Sequence, residues 1–317
     1  MEMNSAEPTI TVVVPVYNRA GIVTETLDSI ACQSERPMSL FIVDNNSTDN
    51  TLAVVTEWAE KHVTPDFSVT VLSENTPGAA AARNKGLEAV TTPYVMFFDS
   101  DDIMLPGHVK DFADTFRADP DLDIAGRDIV SIELDGHKKV QRFADRDMLF
   151  RHAFNAILST QRYAVRTSFI RKAGAWAPDA LAWNDFELGF RLLVNKPACK
   201  KIDNDMTVIM RRQAQSITGT RFSDTPEKWE HSLDKCEHTL ASAGYAGDAI
   251  ELRRAVLAAI YAREGSGHGK RLLDEVISRQ KSKFRKTLYT FAFHYTKSGG
   301  RGIHILLRPF LNFFKDV

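Results

Sequence analysis

Hydrophobic and polar positions alternate in blocks along the first 125 residues, with short apolar runs giving way to amphipathic stretches of helical length. The run 9–16 (Thr-Ile-Thr-Val-Val-Val-Pro-Val) predicts a strand buried on both faces, and 21–33 a helix after it. A second strand at 40–43, a helix at 48–62, a third strand at 69–72 and an alanine-rich helix at 78–90 continue the series. The apolar run 94–98 is the fourth strand. Such alternation predicts an α/β domain with a mostly parallel, doubly wound sheet and helices on both faces.

After residue 126 the regularity breaks. Segments 129–134 and 138–143 flank Asp135-Gly136 and predict a hairpin, since Asp-Gly favours the tight turn that hairpins need. Residues 184–194 predict a helix with Phe186, Phe190, Leu193 and Val194 on its buried side, and 226–278 is mostly helical in composition. The stretch 279–317 is different in kind: it is basic until Asp316 and interleaved with Phe, Leu, Ile and Tyr. That mixture suits peripheral contact with an anionic membrane surface. The other reading is a helical tail packed on the body with its Lys and Arg in water.

Composition narrows the class. A chain of 317 residues with 44% hydrophobic content can bury a sizeable core, and a net charge of −1 gives no reason to invoke nucleic acid. Three widely spaced cysteines, Cys32, Cys199 and Cys236, form no CxxC and fit a reducing compartment. The acidic N-terminus lacks an apolar core of the secretory type, and no stretch reaches the ~18 apolar residues that span a bilayer. The expectation is a cytoplasmic protein, soluble or peripheral at the inner face of the membrane.

The strongest chemical signal is Phe97-Phe98-Asp99-Ser100-Asp101-Asp102, where a buried strand ends in three carboxylates. Each raises the cost of ionising its neighbours. A divalent cation relieves that crowding, and hard oxygen ligands suit Mg²⁺ or Mn²⁺. Such an ion keeps some of its shell for phosphate oxygens, which predicts a metal–nucleotide complex where open α/β sheets bind ligands, at the strands' C-terminal ends. An acidic turn capping the next helix is the alternative.

Four motifs in order decide between them: Pro15-Val16-Tyr17-Asn18-Arg19, Val43-Asp44-Asn45-Asn46-Ser47-Thr48-Asp49, Asn75-Thr76-Pro77-Gly78 with Ala82-Arg83-Asn84-Lys85-Gly86, and Asp99-Ser100-Asp101-Asp102. Together they resemble the inverting, GT-A-fold family 2 glycosyltransferases over roughly residues 9–220. The resemblance implies a GT-A domain over 1–222, with a donor half at about 9–125 and an acceptor and catalytic half at about 126–222. A helical region over 223–317 follows it. It also implies a UDP-sugar donor, a glycan acceptor that is lipid-linked in many bacterial members, and Mn²⁺ or Mg²⁺.

By that resemblance Pro15, Tyr17 and Asn18 bind the donor, Tyr17 covering the base beside the turn where Pro15 and Tyr17 end the first strand, and Asp44 reads the uracil ring. Gly78 lets backbone approach the donor without a Cβ, and Arg83 offers a fixed fork of donors for base, ribose or phosphate. Asp99 belongs to the ribose or metal shell, Ser100 to the donor site and Asp101 to the metal, with Asp102 a competing ligand because two registers are open.

An inverting transfer also needs a carboxylate that deprotonates the acceptor hydroxyl. Trp183-Asn184-Asp185-Phe186-Glu187 resembles the family's acidic motif, with Asn184 where many members carry an acid. Asp185 is the matched general base, and Trp183 and Glu187 are acceptor-side candidates. Arg211 and Arg212 are diphosphate candidates, and Gln213 stands where many relatives place a metal-binding His. Two other classes fit less well. Residues 15–21 contain neither a GxGxxG nor a basic, Gly-rich phosphate loop, against a dehydrogenase or a nucleotidyltransferase. A binding protein that keeps the donor fold without turnover has Asn184 and Gln213 in its favour.

Overall fold

The computed structural model describes residues 9–211 and 221–314. In chain order the elements are β1 (Ile10–Val16), α1 (Val23–Ala31), β2 (Met38–Asp44), α2 (Thr51–His62), β3 (Phe67–Ser73), α3 (Ala79–Ala89), β4 (Tyr94–Phe97), β5 (Ile103–Met104), α4 (His108–Ala118) and β6 (Ile124–Arg127). There follow β7 (Ile129–Ile132), β8 (Lys138–Gln141), α5 (Met148–Asn155), β9 (Tyr163–Arg166), α6 (Thr167–Lys172), α7 (Asn184–Val194), β10 (Cys199–Ile202) and β11 (Val208–Arg211). The last are α8 (Pro226–Ser242), α9 (Asp248–Arg263), α10 (His268–Ser278), α11 (Lys283–Lys297) and α12 (Ile303–Leu307).

These residues form two compact units. One takes 9–146, 157–179 and 195–211, and the other 147–156, 180–194 and 221–314. The division is therefore not the single cut near residue 222 that the sequence suggests. Two earlier segments, carrying α5 and α7, join the C-terminal helices.

The first unit holds a seven-stranded sheet in the order β10-β6-β9-β4-β1-β2-β3. β4, β1, β2 and β3 run parallel, and β9 is antiparallel to both its neighbours. Chain order reverses at β1, which has β2 on one side and β4 on the other, so the crevice outside their C-terminal ends is the natural ligand position. The predicted hairpin is present as β7 and β8, with Ile132 opposite Lys138, and it joins β11 and β5 in a second, four-stranded sheet.

Pro15 does not end β1; the strand runs on to Val16, and Pro15 lies opposite Val43 of β2. The amide of Phe98 donates to the carbonyl of Val13, so odd positions of β1 face β4, whose pairing stops at Val13. The donor that Pro15 lacks thus falls where the ladder has already ended.

α3 packs closely because its inner side is small: Ala80, Ala81, Ala82 and Gly86 are buried. A Cβ at Gly86 would meet Cγ1 of Val13 at 2.4 Å and Cγ2 of Val43 at 3.3 Å. Gly86→Ala must therefore push the helix off β1 and β2, and a loss of about 2 kcal/mol in unfolding free energy is expected. An unchanged denaturation midpoint for that variant would refute this account of the packing.

In the second unit α9 is buried nearly all round, with Ile250, Leu252, Leu257 and four alanines inside. α10 approaches it at Gly269, where a Cβ would lie 2.6 Å from the carbonyl oxygen of Ala258. α7 joins this core through Phe186 and Phe190, beside Trp229 and Leu233 of α8. α11 and α12 pack through Tyr289, Ala292, Ile303 and Leu307.

Candidate active site

Three loops leave the C-terminal ends of β1, β2 and β4, and side chains tie them together. Asn18, with φ of +49°, accepts the amide of Thr48 at 2.8 Å and donates to its hydroxyl at 3.2 Å. Asparagine tolerates this left-handed backbone better than most residues. Its side chain links the loops after β1 and β2, and the expected direct donor contact has no separate support.

Asn45 makes the equivalent link to the loop after β3. Its amide nitrogen donates to the carbonyls of Glu74 and Thr76, and its oxygen accepts the amide of Gly78 at 2.7 Å. Gly78 has φ of +119°, which disfavours any side chain, and the space a Cβ would enter is open. The glycine is thus required by the backbone turn and leaves its outer face clear.

Asp44 ends β2 with its side chain buried. One carboxylate oxygen accepts the amide of Ser47 at 3.1 Å. The other, Oδ1, is buried and has no hydrogen-bond partner among the described residues. A buried acceptor without a donor is costly, so this oxygen is suited to an N–H brought by a ligand. Tyr17 is 53% exposed directly after β1, with its ring available to a flat partner.

The acidic turn after β4 is held by protein donors to very different degrees. Arg83, buried on α3, donates to Oδ1 of Asp99 at 2.6 Å, and its guanidinium lies 4.4 Å above the ring of Trp176. Trp176 is itself pinned by Asn84, which exchanges two 2.9 Å hydrogen bonds with its backbone. The amide nitrogen of Gln161, in the short turn Thr160–Arg162, donates to Oδ2 of both Asp99 and Asp102. Asp102 is fully buried, and its other oxygen accepts the amide of Arg211 at 2.8 Å. Ser100 is buried between them in the chain.

Asp101 is the least satisfied of the three. Among the described residues its nearest cation is Arg19, at 3.7 Å, and its own carbonyl accepts from Nε of Arg211 at 2.7 Å. Burial, and then the charge of Asp99, push its carboxyl above the usual range, with Arg19 and Arg211 pulling the other way. Asp102 is raised further, by burial first and then by the charges of Asp99 and Asp101. Excess negative charge of this kind fits a hard cation. Among the described residues no group of three or more His, Cys, Asp or Glu is arranged to hold a metal. Asp99 and Asp102 are already engaged by Arg83, Gln161 and the backbone, whereas among the described residues the Asp101 carboxylate has only Arg19 as an ion-pair partner. Arg212 and Gln213 lie outside the described residues.

The expected acceptor-side residues are in the second unit. Asp185 stands in the first turn of α7, where its Oδ1 accepts the amide of Phe186 at 2.8 Å and the helix dipole favours a carboxylate. Glu187 is buried and its two oxygens are taken by Arg191 at 2.7 Å each, so an ion pair along the helix accounts for it without an acceptor. Trp183, with φ of +50°, packs against Trp229, Phe222 and Phe186, and Arg253 covers its ring at 5.0 Å.

The sequence does not single out Gln161 or Trp176. Neither stands in a recognisable motif; Gln161 reaches the acidic turn, and Trp176 reaches Arg83, only through folding.

Known proteins show the same architecture. The fragment 1–349 of S. aureus TarS in complex with UDP-GlcNAc superposes with a TM-score of 0.64 at 17% identity, covering 95% of this chain and 92% of that one. The mannosyltransferase PcManGT from Pyrobaculum calidifontis, in complex with GDP-Man and Mn²⁺, gives 0.56 at 20% identity over 93% and 88% of the two chains. At these identities the likeness establishes the fold, which is GT-A. In sequence, TuaG of Bacillus subtilis, a glycosyltransferase whose name places it in teichuronic acid biosynthesis, is 37% identical over 100 residues, 32% of this chain and 38% of that protein. The chain covers 34% of the length of YibD of Escherichia coli, 38% of TuaG and only 14% of GlyA of Streptococcus pneumoniae. The family model for glycosyl transferase family 2 matches residues 11–175, just over half of the chain, and the chain belongs to that family.

Proposed function

We propose that this chain is an inverting, metal-assisted glycosyltransferase that moves a hexose or N-acetylhexosamine from a UDP-sugar to a hydroxyl of a cell-surface glycan, which for a lipid-linked glycan means working at the inner face of the membrane. The observation that carries the donor half of this reading is the buried, unpartnered Oδ1 of Asp44. It stands at the topological switch point, on the strand beside β1, with the exposed ring of Tyr17 just past the end of β1. A uracil N–H satisfies that oxygen while the base lies on the tyrosine. The name of TuaG and the UDP-GlcNAc complex of TarS support the choice of a glycan pathway and a UDP-linked donor.

Asp101 would hold Mn²⁺ or Mg²⁺, and the bound ion would supply charge neutralisation to the departing diphosphate. Arg19 and Arg211, which already border the acidic turn, add positive charge on the same side. Arg83 orients Asp99 and keeps its charge compensated. The base we assign is Asp185, which would take the proton of the acceptor hydroxyl as that oxygen attacks the anomeric carbon from the face opposite UDP.

Calorimetric titration of UDP tests the donor site. Wild type is expected to bind with Mn²⁺ present and at least tenfold more weakly without it, and Asp101→Ala to lose the metal-dependent component. Binding that ignores both metal and Asp101 would move the diphosphate's charge partner to Arg19, Arg83 or Arg211. Asn184, an amide where many relatives carry an acid, favours a second reading as a donor-binding protein without turnover. Sugar transfer or donor hydrolysis with Mn²⁺ would eliminate it.

A further inference from the structure

Residues 279–314 carry eight Lys and Arg and no Asp or Glu, and the proposed chemistry uses none of them. One side of this tail is fully committed to packing. Tyr289, Ala292, Ile303, Leu307 and Leu311 are buried together. Asp248 of α9 fastens that side, accepting from Arg285 through both oxygens, from the Tyr289 hydroxyl at 3.2 Å and from the amide of Asn312 at 2.9 Å.

The outward side is not polar. Phe284, Phe291, Ile305, Leu306 and Phe310 are between 48% and 66% exposed. They are five of the twelve exposed large hydrophobic residues among the described residues, and they fall between positions 284 and 310. Phe284 and Phe291, seven residues apart, share one face of α11. The Phe284 ring lies 6.1 Å from that of Phe310, which joins this face to the segment after α12.

The same stretch carries the cations. Arg279 is paired with Glu237, Glu251 and Glu275, Arg285 with Asp248, and Arg308 with Asp147. Lys281, Lys283, Lys286, Lys297 and Arg301 have no carboxylate partner among the described residues.

An exposed apolar cluster in a stretch of chain rich in unpaired cations calls for a partner that is negative and apolar at once. A second copy of the same face would bring cations against cations. A nucleic acid would answer the charge but offers nothing to Ile305 and Leu306. An anionic bilayer answers both, since its headgroups attract the cations and its acyl boundary takes the apolar side chains. We propose that the outward face of α11 and α12 docks on an anionic membrane surface, Phe284, Phe291, Ile305, Leu306 and Phe310 entering the interface and Lys281, Lys283 and Arg301 meeting the headgroups. This goes beyond the donor-site reading and does not rest on it.

The test is co-sedimentation of the whole chain with vesicles of phosphatidylcholine alone and of phosphatidylcholine with about a third phosphatidylglycerol. Binding is expected only with the anionic vesicles, falling as salt is raised. A triple variant, Lys281→Gln, Lys283→Gln and Arg301→Gln, should bind about a hundredfold more weakly, at about fivefold per cation. Phe284→Ser with Ile305→Ser and Phe310→Ser should lose binding while keeping its circular dichroism and melting midpoint, because all three side chains are exposed. The proposal is overturned if wild type ignores anionic vesicles, or if both variants bind them as wild type does. A concentration-dependent dimer dissolved by the apolar variant, with no vesicle binding, would also overturn it and assign the face to self-association. So would binding of RNA but not of vesicles.

Discussion

Asp185→Asn is expected to cut sugar transfer by roughly 10²–10⁴-fold while UDP affinity stays nearly unchanged. The amide has the shape of the carboxylate, and its oxygen can still accept the amide of Phe186, the contact that seats the carboxylate at the start of α7. What it cannot do is take a proton. The residues proposed to hold UDP all belong to the first unit and Asp185 to the second, so loss of turnover should appear without loss of donor binding. Measured as transfer from UDP-sugar beside calorimetric UDP binding, the two readouts separate a base from a merely structural residue. Substantial activity in the variant would remove Asp185 from that role and reopen the search among the second unit's carboxylates.

The second large effect is expected at Gln161. One amide nitrogen of this buried residue serves two carboxylates, Asp99 and Asp102, and leucine fills nearly the same volume without a donor. Hydrogen bonds to charged groups are each worth about 1.5–3 kcal/mol, so Gln161→Leu should lower unfolding stability by about 3 kcal/mol. The loss has a functional side too. Asp102 is the residue through which the acidic turn receives the backbone of Arg211, and Asp99 the one that positions Arg83. UDP affinity should therefore weaken together with stability. A variant with wild-type melting and wild-type UDP binding would show that the cluster tolerates its own repulsion and that Gln161 is incidental.

Much of this was legible before any fold was known. The blocks at 9–16, 40–43 and 94–98 are apolar because β1, β2 and β4 lie inside the sheet, whereas 69–72 belongs to the edge strand β3, where Ser68 and Thr70 are exposed; each block reappears within a few residues of its expected bounds. The helix 184–194 has the expected ends. The acidic turn could be read as chemistry because three carboxylates after a buried strand conflict with local stability. The hairpin was readable from Asp-Gly alone, although its role as half of a second sheet with β11 and β5 was not.

What the chain could not announce is which carboxylates are already spoken for. In sequence Asp99, Asp101 and Asp102 are equivalent. Only folding brings Gln161, 62 residues beyond Asp99 in the chain, and the backbone of Arg211, 109 beyond Asp102, onto two of the three. The same holds for Asn18, Glu187 and Trp183, whose neighbours in space differ from those their motifs suggest. Sequence by itself determined the strand order's raw material, the family, and the charge conflict after β4, because periodicity and like-charge crowding are local properties. Tertiary structure alone decided that, among the described residues, Asp101 has fewer partners than Asp99 and Asp102 and an oxygen of Asp44 is buried without a donor, and that one side of the basic tail faces outward with its phenylalanines. Those are facts about partners, and partners distant in sequence are assigned only when the chain closes on itself.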